Sequence, residues 1–408
     1  MTKASPALLA LLLVCALPAV TLVAAAPAPG SSTGTETQST VLTTPHDSNG
    51  PFLELENTAN RLTVPEESKR TYTSPTQDFG TAIASADDEV RADAGHFAFE
   101  QAFDETTDPN ERADLIDASR DRMEARVQAL DEREQRAVQA YANGTITEQE
   151  FTQVLLRNYN EANELEQQYR DLLEYANRVP GYSRNSVRPM AGTIATHQSQ
   201  ARAEIAAASA ADRSPTVTIE TSDVGYRLSL ISGDRYFQEV ARFDLRDRDG
   251  DSQFGSFSAA ESHAAERYPW AQGNANSYHF SSTASPNLYL TEISHNHGEL
   301  YSYIDGATEA VAREHQSLVV SRLPIEHQNT WERDTVAITL NRTPGDGPAE
   351  VRVTDLETGE PVEATVRLDG VAVGQTGSNG YLWLATPAGD YEIEVETADE
   401  TVTIAPAT

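Results

Sequence analysis

The sequence predicts a multidomain protein: an N-terminal α-helical hairpin or coiled-coil-like bundle, an α+β middle, and a C-terminal all-β sandwich. Three observations carry this. Apolar residues recur with a helical period from Asp78 to Asn177. From Pro215 the pattern turns to alternation. Behind a Pro/Gly linker at 341–349, short apolar runs follow one another at even spacing. The corresponding segments are a signal peptide at 1–26, a low-complexity tail and irregular chain at 27–77, a helical region at 78–211, an α+β region at 214–340, the linker, and a sandwich at 350–408.

Lys3 and the apolar runs Ala7 to Val14 and Ala16 to Val23, ending in Ala24-Ala25-Ala26, read as a Sec-type secretory signal. Left uncleaved, it would serve as an anchor. The only cysteine, Cys15, lies inside it, so the remaining chain has no disulfide or thiol chemistry. No later stretch approaches the ~18 apolar residues of a membrane span. A secreted or cell-surface location follows.

The helical region begins with a helix over 78–103. Asp108-Pro109 starts a second, whose apolar positions Leu115/Ile116, Met123, Val127, Leu130, Ala137 and Tyr141 are broken only by Glu134. Asn143-Gly144 ends it. Thr147 and Glu150 form a capping box for a third helix, with Phe151, Val154/Leu155, Ala162, Leu165, Tyr169, Leu172 and Ala176 on one face. The two long helices make an antiparallel hairpin with a coiled-coil-like seam, which could also pair between chains. A fourth, alanine-rich helix is expected near 192–211.

In the middle, strands are expected around Ser222-Asp223. Residues 236–245 read as helix or strand, and Ser258 to Glu261 cap a short helix. A hairpin joins Leu288–Ile293 to Glu299–Ile304 across His295-Asn296-His297-Gly298. A helical stretch is expected at 307–316 and a strand at 318–323. In the sandwich, Leu382, Leu384, Tyr391, Ile393 and Val395 are expected to face the core.

Composition speaks to the solvent. Two lysines stand against 28 arginines and 63 carboxylates, for a net charge of −33. Carboxylates hold tight water, whereas lysine stems expose methylenes that molar salt drives together. At ~1 M salt the Debye length is ~3 Å, so such a charge no longer repels itself apart. The surface is that of a halophilic protein. It excludes nucleic acid, which needs clustered Lys/Arg, and an anionic membrane surface.

Candidate chemistry is sparse. His295 and His297 alternate, so a strand would put them on one face. With a third ligand from His279, His315 or Glu314 they could hold a metal for hydrolysis, although a polar hairpin tip is the plainer reading. Residues 143–150 imitate half an EF-hand loop, but the first positions fall on Gln139 and Tyr141, which cannot supply carboxylates. Asp247-x-Asp249-Gly250-Asp251 reads as an acidic turn. His263 and Glu266 could pair on a helix. There is no G-x-S-x-G elbow and no phosphate-binding glycine loop. No cofactor is expected. Asn143 and Asn341 head glycosylation sequons at places expected to be exposed.

Three resemblances add to this. Gly359-x-Pro361-Val362-x-Ala364-x-Val366-x-Leu368, Gly374-x-Thr376 with Gly380-Tyr381, and Pro387-Ala388-Gly389-x-Tyr391-x-Ile393-x-Val395 are similar to the carboxypeptidase-regulatory, transthyretin-like sandwich family. That resemblance implies a non-catalytic accessory module. Leu288-x-Leu290-x-Glu292-Ile293 and Tyr303-Ile304-Asp305-Gly306-Ala307-Thr308 with Val311 resemble PepSY-type domains, which implies regulation or inhibition of an extracellular peptidase. As a whole, the chain resembles uncharacterised exported proteins of halophilic archaea. The function expected is non-enzymatic: a modular binding or structural role in the envelope, with a protein partner there. Peptidase regulation and metal-dependent hydrolysis are the alternatives.

Overall fold

The structure, a computed structural model, describes residues 51–65, 67–74, 79–187, 190–210, 215–283 and 287–406. The expected signal peptide and most of the tail lie outside these residues. Among the described residues, no helix is long and apolar enough to cross a membrane.

The segment expected to be irregular at 51–77 carries strands instead. β1 (Phe52–Leu53) pairs with β2 (Arg61–Leu62), and β3 (Lys69–Thr73) forms an edge of the main sheet. Three long helices follow: α1 (Phe79–Glu105), α2 (Pro109–Ala142) and α3 (Glu148–Asn177). The Asp108 side chain accepts from the Asn110 amide with Pro109 in the first turn, and Thr147 and Glu150 complete a reciprocal capping box. Ile116, Met123, Val127, Leu130, Leu165 and Leu172 fill the seam between α2 and α3, joined by Phe99 and Phe103 of α1.

The alanine-rich helix is two helices, α4 (Met190–Ala195) and α5 (Gln200–Ala210). The break has a local cause. The Ser199 hydroxyl accepts from the Arg202 amide as a capping residue does, while the buried His197 and Ser199 side chains serve partners elsewhere.

The middle region is built on an eight-stranded antiparallel sheet. Its strands are β3, β4 (Val217–Ser222), β5 (Gly225–Ser232), β6 (Arg235–Arg242), β7 (Ala275–Ser282), β8 (Leu288–His295), β9 (Gly298–Asp305) and β10 (Val311–Val319), in the order β3-β4-β5-β6-β10-β9-β8-β7. The expected hairpin is β8–β9. A Cβ at Gly298, where φ is +153°, would fall 2.0 Å from the Ser317 carbonyl oxygen, so this turn demands glycine. The sheet's two faces are covered differently. Ala137, Val138 and Tyr141 of α2, Phe151 and Leu155 of α3, and Ala201 and Ile205 of α5 pack on Val217, Ile219, Leu228 and Leu230. The other face carries α6 (Phe257–Arg267), α7 (Pro269–Gly273) and residues around β1 and β2.

The helix expected at 307–316 is overturned: β10 occupies this stretch, between β6 and β9, with all nine residues buried. Arg313, Glu314, His315 and Gln316 favour helix locally. Partners on both sides of the sheet make a strand of them.

The C-terminal sandwich begins earlier than its expected boundary at 350. β11 (His327–Arg333), β12 (Val336–Arg342), β13 (Ala349–Asp355) and β16 (Tyr381–Leu384) form one sheet. β14 (Thr365–Leu368), β15 (Val371–Gln375), β17 (Ile393–Glu396) and β18 (Thr401–Ile404) form the other. The stretch 341–349 is not a linker between domains. It is a hairpin connection inside the sandwich, with Arg342 paired to Ala349. Leu384, Ile393 and Val395 are in the core as expected, while Leu382 and Tyr391 pack at its margin.

Candidate functional site

Glu134, the one break in the apolar face of α2, is fully buried. It lies where the hairpin meets the sheet. One carboxylate oxygen accepts from Arg313 Nη2 of β10 at 2.5 Å and lies 2.9 Å from the Tyr226 hydroxyl of β5. The other accepts from Arg202 Nη2 of α5 at 2.8 Å and lies 3.1 Å from His197 Nδ1. Glu239 of β6 mirrors it. Arg202 donates to it through Nε at 3.0 Å and Nη2 at 2.7 Å, Arg313 Nη1 donates at 2.8 Å, and Ser199 Oγ donates as well. The two guanidiniums thus bridge the two carboxylates. At the edge, Asp131 lies 2.9 Å from His197 Nε2 and pairs with Arg248.

The protonation states follow from this arrangement. Burial alone would push Glu134 up, but Arg202 and Arg313 outweigh it and hold the carboxyl well below its usual range. Burial likewise opposes ionisation of Glu239, and Arg202, His315 and Arg313 bring it to about 2. Burial pulls His197 down, but Asp131 and Glu134 hold it above the usual imidazole value. Burial, with the nearby carboxylates, keeps the Tyr226 phenol protonated. Every buried charge in the cluster has a hydrogen-bonded counter-charge. The arrangement ties together α2, α5, β5, β6 and β10.

Residues 1–214 match the sequence model of a domain of unknown function, DUF7096. The chain belongs to that family. In this DUF7096 chain, residues 217–324 match a second family of unknown function, DUF7094, and residues 327–404 match an archaeal fibronectin-III type-like domain. No curated protein and no solved structure matches it. The sandwich and the archaeal character agree with the sequence reading, and the family of the sandwich is fibronectin-III-like. The PepSY resemblance finds no support: the region matches DUF7094, and its hairpin is one part of an eight-stranded sheet. The buried cluster spans the junction. Glu134, His197 and Arg202 come from the DUF7096 region, and Tyr226, Glu239 and Arg313 from the DUF7094 region.

The histidine pair sits elsewhere. His295 is buried beside Trp270 of α7, on the sheet face that carries α6 and α7, and its Nδ1 accepts from the His297 amide at 3.2 Å. His297 stacks on Trp270 with ring centroids 4.5 Å apart. Burial, with His297 alongside, pushes His295 down to about 4. By strand register, His279 lies opposite Glu292 and His315 opposite Tyr301, which puts both on the other face of the sheet. Glu314 shares the face of His295 but is bonded to Tyr268 and Gln316. Among the described residues, no group of three His, Cys, Asp or Glu could hold a metal ion.

The remaining candidates are structural. Asp247 accepts from the Asp249 and Gly250 amides in a local turn. His263 Nε2 lies 2.7 Å from the Glu309 carbonyl oxygen. Asn143 is exposed at the hairpin turn. Asn341 is not exposed as expected: strand β12 runs through it, it is 7% accessible, and its amide donates to Glu350 at 2.8 Å.

Proposed function

We propose that this is a non-enzymatic modular protein exported by a halophile, in which the helical bundle is an arm held rigidly on the middle sheet and the domains serve binding in the cell envelope. The observation that carries this reading is the completeness of charge pairing around Glu134 and Glu239. A catalytic cluster keeps a group poised to react, whereas these groups are committed to one another. The 25 residues from Glu134 back to Pro109 give α2 a reach of ~37 Å beyond the clamp. The scarcity of lysine and the N-terminal signal pattern support an exported protein in high salt.

The test joins location to clamp. In a halophilic host, the mature chain is expected in the envelope fraction or medium, with its first residue near position 27 by mass spectrometry. A cytoplasmic chain retaining Lys3 overturns export. Glu239→Gln is expected to lower the unfolding midpoint in molar KCl. If it instead kept that midpoint and lost envelope association, the cluster would be the working site and the clamp reading would fail.

A further inference from the structure

A cavity of about 230 Å³ lies beneath the elbow between α4 and α5, beside the buried cluster but separate from its bonds. Its floor is the face formed by β8, β9 and β10. Glu292 lies opposite Tyr301, and Tyr301 opposite His315, so the three line up across three strands. Tyr303 follows on the same face, its ring 5.3 Å from that of His315, and Gln198 and Gln200 close the elbow side.

Three features of this cavity bear on what it would hold. First, its lining includes no arginine or lysine. Glu134, Glu239, Glu220 and Asp305 each meet an arginine, whereas Glu314 is held by neutral donors. Glu292 is half-buried and has no hydrogen bond or ion pair among the described residues, and Glu299 beside it accepts only from Gln200, at 2.9 Å. Both carboxylates bear on Tyr301, whose phenol is raised by burial and by their charges. Second, His315 is 6% accessible, yet its Nε2 has no hydrogen-bond partner, and the nearest carboxylate oxygen, on Glu239, is 3.9 Å away. A buried nitrogen left unpaired is costly. Third, the imidazole is neutral: burial, joined by the Arg313 and Arg202 charges, pushes it to about 3 against the pull of Glu239. The site therefore offers negative charge, two tyrosine rings and an uncharged imidazole in its lining, with Leu290, Ala195 and Ala201 as apolar wall.

We infer that this cavity binds a small organic ammonium ion. Aromatic faces and a carboxylate attract a cation, and methyl-sized walls favour one that carries carbon over a hydrated inorganic ion. A hard divalent cation needs six or more oxygens, which rings and methyls cannot supply. The volume is below the usual range for drug-sized ligands, so the bound group is small. The ammonium could belong to a free solute or to a lysine side chain of a peptide.

The full chain would be titrated in molar KCl by calorimetry and saturation-transfer NMR with two probes, tetramethylammonium and Nα-acetyl-lysine amide. Potassium is then the competitor throughout. Saturable binding of tetramethylammonium alone identifies a free solute as the source, and preference for the blocked lysine identifies a peptide. Tyr301→Ala is expected to weaken binding about tenfold, and Tyr301→Phe, which keeps the ring, less than about twofold. Glu292→Gln should weaken it several-fold at an unchanged unfolding midpoint. Absence of saturable binding of either probe up to about 100 mM, or binding unchanged in both Tyr301→Ala and Glu292→Gln, overturns the inference.

Discussion

On the helix-facing side of β10, Arg313 meets Glu134 and Glu239, and both carboxylates stay ionised. One residue along, Glu314 points to the opposite side and meets only neutral donors: the Tyr268 hydroxyl at 2.6 Å, the Gln316 amide at 2.8 Å and the Leu62 backbone N–H at 3.1 Å. Arg61 is buried on that side too, but its hydrogen bond goes to the Pro344 carbonyl, 2.6 Å away. Burial then outweighs the three hydrogen bonds and the Arg61 charge, and Glu314 rises to about 7. The two faces bury carboxylates equally well. What separates Glu134 and Glu239 from Glu314 is the pair of guanidiniums that bridges them, and a single one does not suffice: Glu220, on the face of Glu314, meets Arg227 at 3.1 Å and still rises to about 7.

The largest expected effect breaks the paired face. Arg313→Met leaves Arg202 as the one guanidinium shared by Glu134 and Glu239, with His197 still beside Glu134, and should cost about 3–5 kcal/mol of stability, the range for an uncompensated buried charge. Chemical unfolding in molar KCl measures it. The loss should be greatest near neutral pH. With their pKa values depressed, these carboxylates contribute stability that is present above their unfolded value near 4.5 and is lost as pH falls through the folded values, about 2 for Glu239. A cost below about 1 kcal/mol would mean that the cluster is not a clamp.

On the opposite face the sign reverses. Glu314 is raised, so between its unfolded value near 4.5 and about 7 the folded state holds the extra proton, and stability falls as pH rises through that window. Glu314→Gln, with its amide oxygen taking the Leu62 and Tyr268 bonds, should reduce this slope and leave the part that Glu220, also raised to about 7 by burial, contributes. Above pH 7 the variant should be more stable than the natural protein by up to a few kcal/mol. Stability curves at pH 5, 7 and 8.5 read this directly. If the slope is unchanged in the variant, Glu314 does not contribute to it and its contrast with Glu134 and Glu239 fails.

How much of this was legible beforehand differs by element. The long helices were readable because their periods, Pro109 and the Thr147–Glu150 box are local signals. The sandwich strands were readable from alternation and turn residues, although its first two strands merged into the middle region. β10 was not readable. Its Arg313-Glu-His-Gln run has no apolar alternation, since each side chain is buried by a partner distant in sequence: Glu134 lies 179 residues from Arg313. The cluster left one trace, the acidic residue breaking the α2 seam. In a chain with 63 acids, that trace could not be told from surface charge. The histidines at 295 and 297 drew attention because they are rare and close together. Strand parity then set two of their three suggested partners on the far side of the sheet.

The smallest effect refines the comparison. Tyr268→Phe removes one neutral donor from Glu314 and leaves the ring, which packs edge-on against Phe52 with centroids 5.7 Å apart. That hydrogen bond favours the ionised carboxylate, so its loss should move the Glu314 midpoint further up. Below pH 5, where the carboxyl is protonated in either protein, the variant should be less stable by only about 1 kcal/mol, the net worth of a neutral hydrogen bond. Above pH 8 the deficit should grow to roughly 2 kcal/mol, because the bond then serves a charge. A deficit independent of pH would mean that the hydroxyl stabilises packing alone. A deficit that widens with pH would establish that neutral donors carry part of the charge on this face, as arginines carry it on the other.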